Sequence, residues 1–234
     1  MSKVQIGIIG AMKIEVEAIQ AIMEDKEEQI ISGVLFVSGT LYGKKIVVAE
    51  CGIGKVFAAI CTEAMILSYK PDVIINTGVA GGLATDLKIG DIAIAESVVQ
   101  HDMDTSPLGD PIGYLSGINI VNIPCDKKVT ALLTQVVESL NINTVTGVIV
   151  SGDQFINGAE KKKMLVESFG AVSCEMEGAS IGHVCYVNKV PFGVVRSISD
   201  GADDDSHMDY PEFCRMAAKN STEVIKVFVK NYKL

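Results

Sequence analysis

Four carboxylates sit where a folded chain seldom leaves one idle. Glu15 follows the apolar run Val4–Ile9 and the small pair Gly10-Ala11. Glu175 and Glu177 flank Met176 in Cys174-Glu175-Met176-Glu177-Gly178-Ala179-Ser180, and Asp200 follows Ser199 after the apolar run Phe192–Ser197. Both flanks of Glu175 and Glu177 look buried or close-packed, so those two carboxylates are either paired structurally or kept for a ligand. Kept for a ligand, such acids can exchange protons with it or accept hydrogen bonds from its hydroxyls. The structural alternatives are concrete. Glu15 could rest on the first turn of a helix, where the dipole favours acids. Asp200 could cap a turn before Asp203-Asp204-Asp205. Glu175 and Glu177 could form an ion network with Arg196 and lysines.

The elements that must position these residues follow from periodicity. Short β-branched runs alternate with helical stretches. Strands are predicted at Val4–Ile9, Val34–Ser38, Lys45–Glu50, Asp72–Asn76, Asp91–Val99, Thr144–Val150, Ala171–Cys174 and Phe192–Ser197. Helices are predicted at Ile14–Met23, Lys55–Ser68, Lys127–Leu140, Ala159–Glu167, Gly178–Val187 and Tyr210–Val229. A turn at Tyr42-Gly43-Lys44 joins two strands, and Thr77–Gly82 reads as a glycine-rich turn. This alternation implies a mostly parallel sheet with helices on both faces, in one domain spanning residues 1–234. The stretch from Gln100 to Gly117 is the least regular, as lids, interface arms and disordered segments are.

Open α/β sheets bind ligands outside the carboxyl ends of their strands. The strand ends here deliver Gly10-Ala11-Met12-Lys13-Ile14-Glu15, Cys51-Gly52-Ile53-Gly54-Lys55, Thr77-Gly78-Val79-Ala80-Gly81-Gly82, Ser151-Gly152-Asp153-Gln154-Phe155-Ile156, Glu175-Met176-Glu177 and Ile198-Ser199-Asp200-Gly201. Glycines admit close backbone approach. Apolar plates with three or four acids suit a flat heteroaromatic joined to a polyol, a description that fits a nucleoside. Gly52-Ile53-Gly54-Lys55 lacks the spacing of a Walker loop, and Gly7-Ile8-Ile9-Gly10 lacks the dinucleotide fingerprint.

Totals narrow the class further. The chain has 234 residues, 48% of them hydrophobic, and a net charge of −9, which argues against a nucleic-acid partner. No apolar run reaches the length of a membrane span and no signal-peptide pattern opens the chain, so a cytoplasmic location is expected. Six scattered cysteines with no C-x-x-C pair read as reduced, buried thiols, and His101, His183 and His207 form no metal-ligand pattern. Arginine occurs only at Arg196 and Arg215, so a phosphoanion would find few bidentate clamps.

The ordered motifs GIIGAM-x-x-E, CGIGK, INTGVAGGL, HD-x-D, SGDQFING, EMEGA and SISDGAD resemble the 5′-methylthioadenosine/S-adenosylhomocysteine nucleosidases of the nucleoside phosphorylase/hydrolase superfamily. The resemblance covers almost the whole chain. It implies a single-domain three-layer α/β/α sandwich around a twisted, partly barrel-like mixed sheet. It also implies a homodimer, no metal or organic cofactor, and hydrolysis of an N-glycosidic bond with water as co-substrate. By resemblance, Asp200 assisted by Ser199 is the acid serving adenine N7, and Glu15 is the base that activates water. Glu177 holds the ribose hydroxyls, Met176 packs beneath the sugar, and Glu175 supports the site through Arg196 or a hydroxyl. Phe155 stacks on adenine and the Phe155-Ile156 backbone reads its edge, while Ala80 and Gly81 line the other face. Met12, Ile53 and Tyr210 shape the space for the 5′-alkylthio group, and the 100–117 loop reaches the partner's site. Val79, where many relatives carry serine, and Thr105 and Leu108 in the loop depart from the family pattern and bear on tail specificity.

Rival readings differ in what they require. A purine nucleoside phosphorylase needs arginines near the first strand and the glycine-rich segment, and neither stretch has one. An aminofutalosine nucleosidase differs only in the tail. An adenine-nucleoside sensor has no need for Glu15 and Asp200 together.

Overall fold

The computed structural model describes residues 3–201 and 210–233. In chain order the elements are β1 (Ile6–Gly10), α1 (Lys13–Ala21), β2 (Glu24–Ile31), β3 (Val34–Leu41), β4 (Lys44–Glu50), α2 (Lys55–Tyr69), β5 (Val73–Gly82) and β6 (Ile92–Gln100). After these come β7 (Ile123–Pro124), α3 (Lys127–Ser139), β8 (Thr144–Ser151), α4 (Ala159–Phe169), β9 (Ala171–Glu175), α5 (Gly178–Asn188), β10 (Phe192–Asp200) and α6 (Tyr210–Asn231).

The strands form one mixed sheet. Side chains alternate across it with the period of a pleated strand. Ile74 and Val194 face a cluster that includes Ala58, Cys61 and Met65 of α2 and Ala179 and Ile181 of α5. Their neighbours Ile75 and Val195 face the opposite cluster, with Val16 and Ile19 of α1, Leu133 of α3 and Phe228 of α6. Helices therefore cover both faces, and the three-layer α/β/α architecture holds. The expectation of a mostly parallel sheet is corrected. The pairs β1–β4, β1–β5, β5–β10, β6–β8 and β8–β9 are parallel. The pairs β2–β3, β3–β4, β5–β9, β6–β7 and β6–β10 are antiparallel.

β5 organises the site. Its residues Val73–Asn76 pair with β1, whereas Gly81 and Gly82 pair with β9. β10 runs along its other edge, from Ile74 to Gly81. Because β10 also pairs with β6, β6 with β8, and β8 with β9, these five strands close into a ring. Thr77–Gly82 is thus fully buried strand rather than a turn. β10 pairs along one edge to Gly81, β9 takes Gly81 and Gly82 on the other, and the Val79 N–H donates to Glu15, and this pairing outweighs the weak strand propensity of glycine.

β2 carries the sequence EDKEEQII, is almost wholly exposed, and among the described residues pairs only with β3. Its polar composition hid it from the periodicity argument. The hairpin forms through Ser32 and Gly33, both at positive φ (52° and 79°), the geometry of a tight two-residue turn. Past the end of β6 at Gln100, the 100–117 stretch holds a single 3₁₀ turn, Ser106–Leu108, and an isolated antiparallel bridge from Leu115 to Ile120. The six cysteines are buried, and among the described residues no helix is long and apolar enough to cross a membrane.

Candidate active site

A cleft opens where the carboxyl ends of β1, β4, β5, β8, β9 and β10 converge. Its wall takes Met12 and Glu15 from the start of α1, Ile53 from the turn before α2, and Ala80 and Gly81 from β5. The segment after β8 adds Phe155 and Ile156, the end of β9 adds Glu175, Met176 and Glu177, and β10 adds Ser199 and Asp200. The structure therefore brings together every candidate read from the sequence except Tyr210, whose side chain lies outside the described residues. Ala11, Gln154 and Cys174 also line the cleft without being site candidates in the sequence, and so do Val79, the departure from the family pattern, and Arg196, the expected partner of Glu175. For Arg196 a signal existed: one of two arginines falls in the middle of an apolar strand.

Arg196 is the electrostatic centre. It is fully buried and lies opposite Gly78 in the β5–β10 register. Its Nη2 donates to Glu175 Oε2 and Asn76 Oδ1, and lies 3.5 Å from Glu177 Oε2. Burial works against its charge, but Glu175, Glu177 and Glu15 outweigh this and hold the guanidinium pKa above its ordinary value. A Cβ at position 78 would collide with both the Arg196 guanidinium and the Glu15 carboxylate, so only glycine fits there.

Glu15 is 1% exposed. The N–H groups of Ala11 and Met12 donate to its Oε2 at 2.7 and 2.9 Å, and that of Val79 donates to Oε1 at 3.0 Å. The carboxylate does satisfy the first turn of α1, as the structural reading had it, and it also faces the cleft. Burial raises its pKa, against the lowering effect of Arg196 and the three amides. A carboxylate so raised is a stronger proton acceptor than one in water.

Glu175 is held from all sides. Ser151 Oγ donates to Oε1, and Arg196 and the N–H groups of Glu177 (3.0 Å) and Gly178 (2.7 Å) donate to Oε2. Ser151 in turn accepts from the Ala179 N–H at 2.7 Å. These contacts occupy the acceptor capacity of a carboxylate. Glu177 is less committed. Its Oε1 accepts the Gly54 N–H at 2.9 Å. Burial, opposed by Arg196 and reinforced by Glu175, pushes its carboxyl up to about 7.

Asp200 ends β10 and is buried. Ser199 Oγ donates to Asp200 Oδ2 at 2.9 Å, with the Ala80 carbonyl a longer alternative acceptor at 3.4 Å. Asp203, Asp204 and Asp205, which Asp200 would precede as a cap, lie outside the described residues. The apolar lining is uneven: Ile156 is buried, whereas Phe155 is 46% exposed. Among the described residues no group of three His, Cys, Asp or Glu side chains is arranged to hold a metal ion. The arrangement offers separate buried carboxylates that can take or give protons around a partly apolar slot.

The sequence matches the model of the phosphorylase superfamily over residues 5–230. The chain belongs to that superfamily. It is 42% identical to the 5′-methylthioadenosine/S-adenosylhomocysteine nucleosidase of Shewanella halifaxensis, over 97% of this chain and 99% of that one. Its fold matches the nucleosidase of the same name from Neisseria meningitidis, solved in complex with methylthio-immucillin-A. The TM-score is 0.94 at 32% identity, over 97% of this chain and 99% of that chain. It also matches futalosine hydrolase of Helicobacter pylori, with a TM-score of 0.93 and 38% identity over 98% and 99% of the two chains.

Proposed function

We propose that this protein is a nucleosidase that hydrolyses the N-glycosidic bond of 5′-methylthioadenosine and S-adenosylhomocysteine, releasing adenine and the thioribose. The observation that carries the reading is the meeting of Glu15, Glu177 and Asp200 in one cleft beside the Phe155 ring, in a chain 42% identical to a nucleosidase of that name.

The chemistry assigns each group a task. As the C1′–N9 bond breaks, its electron pair passes to the purine and positive charge builds on the sugar. Asp200, with Ser199 donating to it, gives a proton to adenine N7 so that the base leaves neutral. Glu15, its basicity increased by burial, takes a proton from water while the water oxygen bonds to C1′. The sum is water plus nucleoside going to adenine plus free thioribose. Glu177 accepts from the ribose hydroxyls, Met176 packs under the sugar, and Phe155 stacks on adenine. Ala80, Gly81 and Ile156 frame the base, and Met12 and Ile53 bound the 5′ substituent. Glu175 holds Arg196 and the start of α5 in place.

The chain acts as one nucleoside phosphorylase-like domain across residues 1–234, in the cytoplasm, as a homodimer. Support for the dimer is the apolar face of α2, where Val56, Phe57 and Leu67 are more than half exposed, and the 83% exposed Leu108 of the 100–117 loop. Patches of this kind mark association surfaces.

The deciding experiment incubates the protein with 5′-methylthioadenosine, with and without phosphate, and identifies both products. Adenine plus free methylthioribose without phosphate supports the reading; strict phosphate dependence and a sugar 1-phosphate would replace it with a phosphorylase. Likeness to futalosine hydrolase at 38% identity favours a second substrate, aminofutalosine, which the same assay measures.

A further inference from the structure

Lys55, Asp102 and Asp153 do not line the cleft, and the proposed reaction uses none of them, yet they form a connected ionic cluster behind its wall. Asp153 Oδ1 accepts the Lys55 N–H at 2.8 Å, so the segment after β8 caps the first residue of α2. Lys55 Nζ pairs with Asp102 Oδ1 at 2.6 Å, the two side chains being only 19% and 16% exposed, and reaches Gln100 Oε1 at 3.4 Å. Asp102 Oδ2 accepts the Asp153 N–H at 2.9 Å and so closes the circuit. Burial opposes the charge of Asp102, but the Lys55 and Asp153 contacts outweigh it and keep the carboxyl below its ordinary range.

The circuit meets the cleft at Gly54. Its φ is 100°, a conformation that favours glycine, and a Cβ there would lie 3.0 Å from Asp153 Oδ1. The Gly54 N–H points to Glu177 Oε1 at 2.9 Å, a much shorter contact than the 3.5 Å from Arg196 to the other oxygen. The Gly54 amide therefore decides where Glu177 Oε1 lies. From the other side, Ser180 Oγ in the first turn of α5 donates to the Lys55 carbonyl at 2.6 Å, clasping the starts of α2 and α5 together.

We propose that Lys55 and Asp102 are positioning residues for Glu177, acting through Asp153 and the Gly54 amide. The ion pair fixes the start of α2, and the start of α2 fixes the carboxylate that meets the ribose. The inference rests on the reading of Glu177 as the ribose-binding group. It gives CGIGK and HD-x-D, which contribute only Ile53 to the cleft wall, a shared task.

The test uses Asp102→Asn and Lys55→Met in the full chain, with Lys55→Arg as the conservative rescue. Loss of the ion pair is expected to raise KM for 5′-methylthioadenosine about fivefold, the scale of coupling within a shared polar network, with kcat changed less. Adenine alone carries no ribose, so its Kd should stay at the wild-type value. In the apo protein the Gly54 amide should exchange about tenfold faster while amides of β5 and the Tm hold steady, the signature of a local opening. Lys55→Arg should recover most of the KM. In a Glu177→Ala background, Asp102→Asn should add nothing, because no carboxylate remains to be placed. An equal KM increase in that background, a matching loss of adenine affinity, or unchanged Gly54 exchange would overturn the proposal. A wild-type protein that leaves 5′-methylthioadenosine intact would instead refute the nucleosidase reading, and Gly54 exchange would then decide the positioning claim alone.

Discussion

Replacing Glu177 by glutamine should make the protein more stable and less active, and the gain should depend on pH in a defined way. Glu177 is 4% exposed and shares one guanidinium with Glu175 and Glu15. Burial first, then repulsion from Glu175, moves its carboxyl from 4.5 to about 7 despite Arg196. The folded state therefore binds this proton more tightly than the unfolded chain. Stability linked to it is fully present below pH 4.5 and is lost as pH rises to about 7. Each pH unit between those values corresponds to about 1.4 kcal/mol, so the ionised carboxylate costs the fold about 3 kcal/mol at higher pH. Glutamine keeps an oxygen for the Gly54 N–H and does not ionise. Urea unfolding of both proteins across this range provides the assay. The variant's advantage should grow by about 3 kcal/mol from pH 4.5 to above pH 7. Its KM for 5′-methylthioadenosine should rise, because a carboxylate acceptor for the ribose hydroxyls is gone. A stability difference that stays flat with pH, or favours the wild type at high pH, would refute the view that this carboxylate is held against its own solvation.

Three further outcomes follow from the geometry. Asp200→Asn should cut turnover by about a hundredfold or more, as loss of a general acid does; near-normal release of adenine would remove Asp200 from the mechanism. Gly78→Ala places a methyl against Arg196 and Glu15, so a loss of about 1–3 kcal/mol and a fall in kcat are expected by thermal unfolding and steady-state assay. Unchanged values in both would show that the β5–β10 pair yields more readily than its register implies. The protein should elute as a dimer by size-exclusion chromatography with light scattering, and a fully active monomer at micromolar concentration would end the proposal that the 100–117 loop serves the partner's site.

Local signals made much of the fold legible. The β-branched runs from Val4, Asp72 and Phe192 became β1, β5 and β10, and the apolar periodicities from Lys55 and Lys127 became α2 and α3. The failures have equally local causes. Glu24–Ile31 lacks an apolar face, so only its hairpin partner makes it a strand; the Ser32-Gly33 dipeptide was the available clue. The glycines of Thr77–Gly82 suggested a turn because no local feature reveals that β10 pairs along the segment and that β9 takes its last two residues. Among the site residues, the strand-end rule located the two glutamates of CEMEGAS without deciding between them. Partners divide them: Glu175 is engaged by Ser151, Arg196 and two amides, while Glu177 faces the cleft with a single short hydrogen bond.

Which residues stand at the carboxyl ends of the strands could be read locally, because side-chain periodicity and chain punctuation are properties of neighbouring residues. So could the collection of glycines, small polar groups and acids there, and the scarcity of arginine for an anion clamp. Packing settles the rest: β5 closes the five-strand ring, Arg196 lies buried among three carboxylates, and Lys55 reaches Asp102 behind the wall. Strand partners and ion pairs join residues far apart in the chain. Their free energy depends on burial and on the geometry of approach, which exist only once the chain has packed.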